Sequence, residues 1–438
     1  MIKQLRFALK FLPLALLLGL PLALSQPATA EPAEPAEPAE PLSPEAGPTW
    51  ANIIALTNGT NSPNGAERPI VAAAPNGKTV MVAYLKLTVN PTVDADPFYR
   101  VSHDNGATWE SPKAIKNTST RARQVDITYH ANNIAHAVWT EANNIVAYAK
   151  ENNWGGNTFT TISNAPFAVE GPRIAASGSN RLDVVWAQNN GADFDIYHAR
   201  STNANAASPS WTVMGAIQLT PPASTSPDIA IGANGHIHVV WEEQDATTIT
   251  IARIRYVRST NGGNTWSQPI TISNKSSPTD ARRPRIIADG NKLHVTFTDN
   301  ESQNSQFVHH LSCSAANCAN IANWVADGKI SGAKLGIRTV DPADIISTLT
   351  QTGSCTYIYY HGINANLDAN NEMIWGVNSC DNWGQRTRLT VVGARAIKPS
   401  MATQKNWWVY LTYEQVTATR QIRFVRNRPA VYLPILLR

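Results

Sequence analysis

Pro227-Asp228-Ile229-Ala230-Ile231-Gly232-Ala233-Asn234-Gly235-His236-Ile237-His238-Val239-Val240-Trp241 is the stretch whose reading decides the fold. A proline opens a short apolar run. Asn234-Gly235 supplies the positive φ that a tight hairpin needs. The chain then returns as an apolar strand ending in an aromatic residue. The same element recurs along the chain. Pro69-Ile70-Val71-Ala72 leads to Tyr84, Val125-Asp126-Ile127 to Trp139, and Pro172-Arg173-Ile174-Ala175 to Trp186. Pro284-Arg285-Ile286-Ile287 leads to Phe297, Pro342 to Tyr360, and Pro399 to Tyr413. The spacings between starts are 56, 47, 55, 57, 58 and 57 residues.

Within the fourth unit four strands can be read, here called A to D. They are Pro227–Ile231, His236–Glu242, Ala252–Ser259 and Gln268–Ser273. Arg255/Val257 against Tyr256/Arg258 shows the period-two alternation of a strand with unlike faces. Four short strands repeated at a period near 56 predict an all-β propeller. The expected fold has seven four-stranded blades, with six as the alternative count.

The seventh unit reaches strand C at Gln421–Arg426 and then lacks the usual strand D. Residues 49–58, Thr-Trp-Ala-Asn-Ile-Ile-Ala-Leu-Thr-Asn, resemble Thr265–Asn274 and supply the missing strand. An N-terminal strand that closes the ring leaves no open sheet edge. The competing candidate for that strand is Ala430–Leu437, in an apolar tail at 429–438.

The flanks carry a different composition. Lys3, Arg6 and Lys10 precede the apolar run Phe11–Leu24, and Ala28-Thr29-Ala30 is a small-x-small site. Residues 1–30 therefore read as a signal peptide, and the expected location is secreted or cell-surface. Residues 31–48 repeat Glu-Pro-Ala, a stiff, self-repelling spacer. The propeller is expected over 49–428. The formal charge of +4 becomes +1 without the three basic signal residues, and +6 once the five spacer glutamates are also set aside. That excess is too small to point to nucleic acid. Charged residues at only 16% alongside 13 Trp exclude disorder over most of the length. With a single apolar run near membrane length, a polytopic membrane protein is excluded, and no stable span is expected in the mature chain.

Ser102-His103-Asp104-Asn105-Gly106-Ala107-Thr108-Trp109 lies between strands C and D of the first unit. Ser259-Thr260-Asn261-Gly262-Gly263-Asn264-Thr265-Trp266 repeats it with Asn for Asp. Ser379-Cys380-Asp381-Asn382-Trp383-Gly384 carries an insertion, and Lys150–Phe159 is a worn copy. An Asp or Asn side chain accepts bonds from turn N–H groups, and Gly takes the left-handed position. The pattern resembles the Asp-box, or BNR repeat, of the sialidase superfamily, of which this chain looks like a non-standard member. Glu67-Arg68-Pro69-Ile70 differs in order from that family's aromatic-Arg-Ile-Pro stretch.

The resemblance implies candidate site residues. Sialidases hold a substrate carboxylate with three arginines, which pair bidentately with it. Arg68, Arg283 and Arg338 match by position. Asp94 or Asp96 would be the acid/base, Glu243 the activating carboxylate, and Tyr360 (or Tyr359) the nucleophile. Cys313 and Cys318 fall where the fifth unit would carry its Asp-box. Cys355 opens strand B and Cys380 ends strand C of the sixth unit, so the expected disulfides are Cys313–Cys318 and Cys355–Cys380. No ligand set converges with tetrahedral spacing, so no metal and no cofactor are expected.

Two functions follow as expectations. The first is a non-catalytic monomeric module that binds an extracellular glycan or glycoprotein on its polar face. The second is a sialidase-like glycoside hydrolase.

Overall fold

The computed structural model describes residues 50–427 apart from 89–93, 118, 179, 220–221, 249, 277–279, 303–304, 332–346, 353–354, 364–371, 380–382, 384–386, 391–394 and 405–407. The expected signal, spacer and C-terminal tail lie outside these residues, as do Pro342, Arg338 and Cys380. Among the described residues no helix is long and apolar enough to cross a membrane.

The architecture is all-β, a propeller of four-stranded antiparallel sheets. Among the described residues six such sheets are continuous in sequence. In the fourth, strands A to D are Ser224–Ile231, Ile237–Gln244, Ala252–Ser259 and Ile270–Thr271. Strand D is shorter than the sequence pattern suggests, because Ile272–Lys275 turns into a 3₁₀ helix. In the remaining sheet Ile54–Ala55 pairs with Arg420–Asn427, Ile54 opposite Phe424 and Ala55 opposite Arg423. Each strand A lies beside the next along the chain, and Arg395–Thr403 returns against Ala66–Ala73.

The core sits between neighbouring sheets. Val138, Val146 and Tyr148 of the second sheet pack with Ile174, Leu182, Val184 and Trp186 of the third. Trp139, Trp186 and Trp241, at the same point of strand B, are essentially inaccessible. Each fully buried side chain of this size contributes about 1.5–3 kcal/mol over leaving it exposed.

The turn between strands C and D is built by side chains. Asp104 Oδ1 accepts from the Thr108 N–H at 2.8 Å and the Ala107 N–H at 2.9 Å. The Gly106 N–H donates to Ser102 Oγ at 2.7 Å. Asn261 repeats this with the Thr265 N–H at 2.9 Å, and Gly263 N donates to Ser259 Oγ at 2.7 Å. The tryptophan following each turn reaches the preceding sheet instead of its own. Trp154 meets Tyr99 with centroids 4.8 Å apart, Trp211 meets Tyr148 at 5.0 Å, and Trp324 meets Tyr256 at 5.1 Å. Trp109 meets Phe424 at 4.7 Å, and Trp50 meets Tyr359 at 5.4 Å. Edge-on contacts of this kind add about 0.5–1.5 kcal/mol to area burial.

Basic residues of strand C fasten the sheets at the same level. Lys150 Nζ donates to the carbonyls of Asn205 and Ala206 at 3.0 and 2.9 Å in the next sheet's turn. Arg426 does the same to Asn105 at 2.8 Å. In the fifth sheet the Cys313–Cys318 disulfide, with Cα atoms 5.7 Å apart, stands where the other turns use an Asp or Asn.

Candidate ligand site at the starts of the inner strands

Every A–B pair described in full outside the sixth sheet carries a register shift near the start of strand A. One residue in each shift takes a left-handed backbone. These are Arg68 (φ 55°), Gln124 (51°), Gly171 (56°), Ser226 (52°), Arg283 (54°) and Lys398 (52°). A non-glycine residue in that conformation costs about 1–3 kcal/mol and persists only when its surroundings impose it. Here the neighbouring sheet does so. Arg68 N donates to Glu414 Oε1 at 2.6 Å, Arg283 N to Glu242 Oε2 at 3.1 Å, and Gly171 N to Gln124 Oε1 at 2.5 Å. The following proline also disfavours a right-handed residue before it at most of these positions.

The bulges line one cavity of about 200 Å³. Its wall includes Arg68, Gln124, Gly171, Ser226, Arg283 and Lys398, with Ile70, Arg173, Arg285 and Ser400 one step further along strand A. Five lining side chains are basic, and no carboxylate is among the lining residues. Acids stand close to the wall, with Asp126 and Asp228 within 4.0 Å of Arg173. Asp126 Oδ2 accepts from Ile174 N at 2.9 Å, and Asp228 Oδ2 from Ile286 N at 2.8 Å. Arg173 lies 3.7 Å from Asp126 and 4.0 Å from Asp228. Glu414 holds Lys398 at 3.4 Å and Arg420 at 3.7 Å.

Electrostatics follow from this placement. Burial pulls the Arg285 guanidinium down to about 10, helped by Arg173 and opposed by Asp228 and Asp126. It is still charged at neutral pH. Burial raises the Asp126 carboxyl, while Arg173 and the Ile174 N–H oppose the rise. His361 is buried, and burial together with Arg283, Lys398 and Arg395 pushes its imidazole down to about 3. It is therefore neutral. A cavity whose five cations outnumber the two carboxylates beside Arg173 can hold an anionic group by charge-assisted hydrogen bonds.

The residues named from sequence divide. Arg68 and Arg283 come together in this cavity. Asp94, Asp96, Glu243 and Tyr360 are not among its lining residues. Asp94 Oδ2 accepts from Thr88 Oγ1 at 2.8 Å, and Asp96 is buried in strand C opposite Lys86. Glu243 accepts from Trp241 Nε1 at 3.4 Å and meets Arg255 Nε at 3.1 Å. Burial raises its carboxyl, against Arg255, Trp241 and Ser224. Trp139–Glu141 at 2.6 Å and Trp186–Gln188 at 3.1 Å repeat that clasp in the second and third sheets. Tyr360 is buried with Val308, Ile330, Ile358 and Val377 between the fifth and sixth sheets. Arg338 lies outside the described residues. Missing from the sequence-derived site are Arg173 and Arg285. Their signal was the residue after the strand-A proline, or after Val125 in the second unit, which runs Asp126, Arg173, Asp228, Arg285 in successive units.

No family model matches the sequence, and no curated protein matches it. Among solved structures the chain is similar to a protein of unknown function from Dyadobacter fermentans. The TM-score is 0.51 at 9% identity, over 87% of this chain and 100% of that one. It is also similar to Trypanosoma rangeli sialidase, with TM-score 0.45, 12% identity, and 83% of this chain against 55% of that one. For the NanB sialidase of Streptococcus pneumoniae the values are 0.46, 11%, 87% and 70%. At such identities a likeness concerns fold alone. The class defined here is a β-propeller with a cationic cavity at its inner strands.

Proposed function

We propose that this chain is an exported propeller that binds an acidic glycan, free or on a glycoprotein, in the cavity at the inner strand starts, and does so without turnover. The observation that carries this is the cavity wall, with five basic side chains and no carboxylate among its lining residues. Acidic sugars present a carboxylate or sulfate that arginines bind bidentately. In this reading residues 1–30 are a signal peptide, residues 31–48 a spacer, and 49–428 a seven-bladed ring closed by its N-terminal strand. The pairing of Ile54 with Phe424 supports that closure. The turns at Asp104 and Asn261 are read as Asp-boxes.

The hydrolase reading draws on one observation, the presence of Arg68 and Arg283 in one cavity. Against it, Glu243 is engaged by Arg255 and Trp241, and Tyr360 is a packing residue of another sheet pair. General acid–base work needs its groups within hydrogen-bond reach of a bound substrate. The test is calorimetric titration with glucuronic and N-acetylneuraminic acids, beside a panel of fluorogenic sialosides and neutral glycosides. Binding lost in Arg68→Ala, with no turnover, is the expected result. Turnover of a sialoside that Arg68→Ala abolishes would establish the hydrolase instead.

A further inference from the structure

Each inner strand has a second end. Val169–Ser177 and Ser224–Ile231 start at the cationic cavity and finish on the opposite face, where the A–B turns lie. Ser177 is six positions beyond Gly171, about 20 Å along the strand. At that far end a cleft of about 620 Å³ opens between the third and fourth sheets. Its walls are the A–B turns of both sheets and Thr202, from the C–D turn of the third.

The cleft differs from the cavity in its chemistry. Ala176, Gly178, Gly232, Ala233 and Gly235 give it short walls. Among the described residues no aromatic side chain lines it, and Arg181 is its one charged group. A sugar ring finds no flat face to stack on there, whereas a main chain can approach closely. Gly232 lies against a buried polar group. A Cβ on it would stand 3.4 Å from His238 Nε2. His238 is fully buried and engages Tyr256 through Nδ1 at 2.8 Å, and among the described residues its Nε2 has no partner.

The bank of the third sheet is rich in donors. Arg181 Nε donates to Asp183 Oδ2 at 2.6 Å, while its Nη2 is buried without a partner among the described residues. Asp183 does not offset Arg181 alone, since it also meets His198 Nε2 at 2.9 Å and Arg200 Nε at 3.9 Å. Asn180 accepts from Asn205 N at 2.8 Å through Oδ1, which leaves its NH2 group to donate. A cation, an amide donor and no carboxylate in the lining call for a ligand that brings acceptors and a negative charge.

We infer that this cleft docks an extended acidic peptide of a partner protein, with an Asp or Glu carboxylate on Arg181 and main-chain carbonyls on Asn180. The cleft and the sugar cavity occupy opposite ends of the same strands, so the propeller can hold a glycan on one face and a protein on the other. Simultaneous occupation rests on the sugar reading; the docking does not.

The test is selection of random octapeptides displayed on phage against the full chain, with Ala233→Trp and Thr202→Trp as blocked variants. Both residues are exposed, on facing banks of the cleft, so both variants are expected to fold, and unchanged thermal unfolding midpoints check that. The wild type is expected to retain peptides that share an Asp or Glu, and each blocked variant to lose them. Changing that acid to its amide in a retained peptide should weaken binding about tenfold. Arg181→Gln should bring the two peptides level. Arg68→Ala should leave the affinity unchanged, which separates this cleft from the cavity. If the wild type enriches no sequence over the blocked variants, or the retained sequences carry no acid, the proposal is overturned. Retention of an array oligosaccharide that both blocked variants lose would also overturn it, by assigning the cleft to sugars.

Discussion

The main-chain N–H of Arg68 donates to Glu414 Oε1 at 2.6 Å, across 346 positions of chain. It joins the first sheet to the last and holds a strained, left-handed arginine at the cavity wall. The same carboxylate holds Lys398 and Arg420. Glu414 is fully buried. Glu414→Ala is expected to cost about 3 kcal/mol, because it leaves buried cationic and N–H groups without their acceptor. Glu414→Gln keeps an acceptor for Arg68 N and should cost less. Denaturant midpoints of the two variants check this. Equal losses would show that Arg68 N gains nothing from the contact.

Asp104 ties the complete turn of the first sheet. Burial alone would raise its carboxyl. The bonds from Thr108, Ser102 and Ala107 outweigh that and bring it down to about 2. A folded-state value below the unfolded one gives stability that is present above about pH 4 and lost as pH falls toward 2. Asp104→Asn should fold normally, since Asn261 makes the same turn, and should lack this acid dependence. Asp104→Ala should cost about 1 kcal/mol at neutral pH. Urea unfolding at a series of acidic pH values separates the three proteins.

Glycines in these turns are not equivalent. Gly263, at φ 86°, packs so close to His198 that a Cβ would overlap its ring. Gly155, at φ 87°, has nothing within 4 Å of a Cβ. Gly155→Ala should pay only the backbone cost of about 1–2 kcal/mol. Gly263→Ala should lose more, because His198 or the turn must also move. A smaller loss at Gly263 than at Gly155 in thermal unfolding would contradict the packing described here.

His136 and His238 each share a hydrogen bond with a strand-C tyrosine, Tyr148 at 2.7 Å and Tyr256 at 2.8 Å. Burial pushes both imidazoles down to about 3, helped by nearby basic groups. They are neutral in the fold and gain protons only on unfolding. Stability is therefore full above about pH 6.5 and declines as pH falls toward 3, by about 1.4 kcal/mol per pH unit for each histidine. NMR should show both rings unprotonated at about pH 5. A ring titrating near 6.5 would overturn this.

Much of the fold was legible because its signals are local. The proline-to-tryptophan element, the Asn-Gly hairpin and the Ser-x-Asp turn each lie within a few residues, where alternation and turn chemistry act directly. Strand C of the fourth sheet appears over the residues read for it. A further turn escaped notice at Asn203. Its Oδ1 accepts from Ser210 N at 2.9 Å, but added residues separate Asn203 from the Trp211 that would have marked it. The direction of the tryptophans was also hidden, because their partners lie one repeat away.

The sequence by itself determined the repeat, the strand order within it, the polar turns and the Cys313–Cys318 link, all set by interactions within one unit. Only the tertiary structure decided which residues face one another at the centre. Arg68, Arg173, Arg283, Arg285 and Lys398 are scattered over more than 300 positions, and no local pattern says that they share a wall. Their meeting depends on a left-handed bulge held by a neighbouring sheet's carboxylate, so it exists only once the sheets are packed.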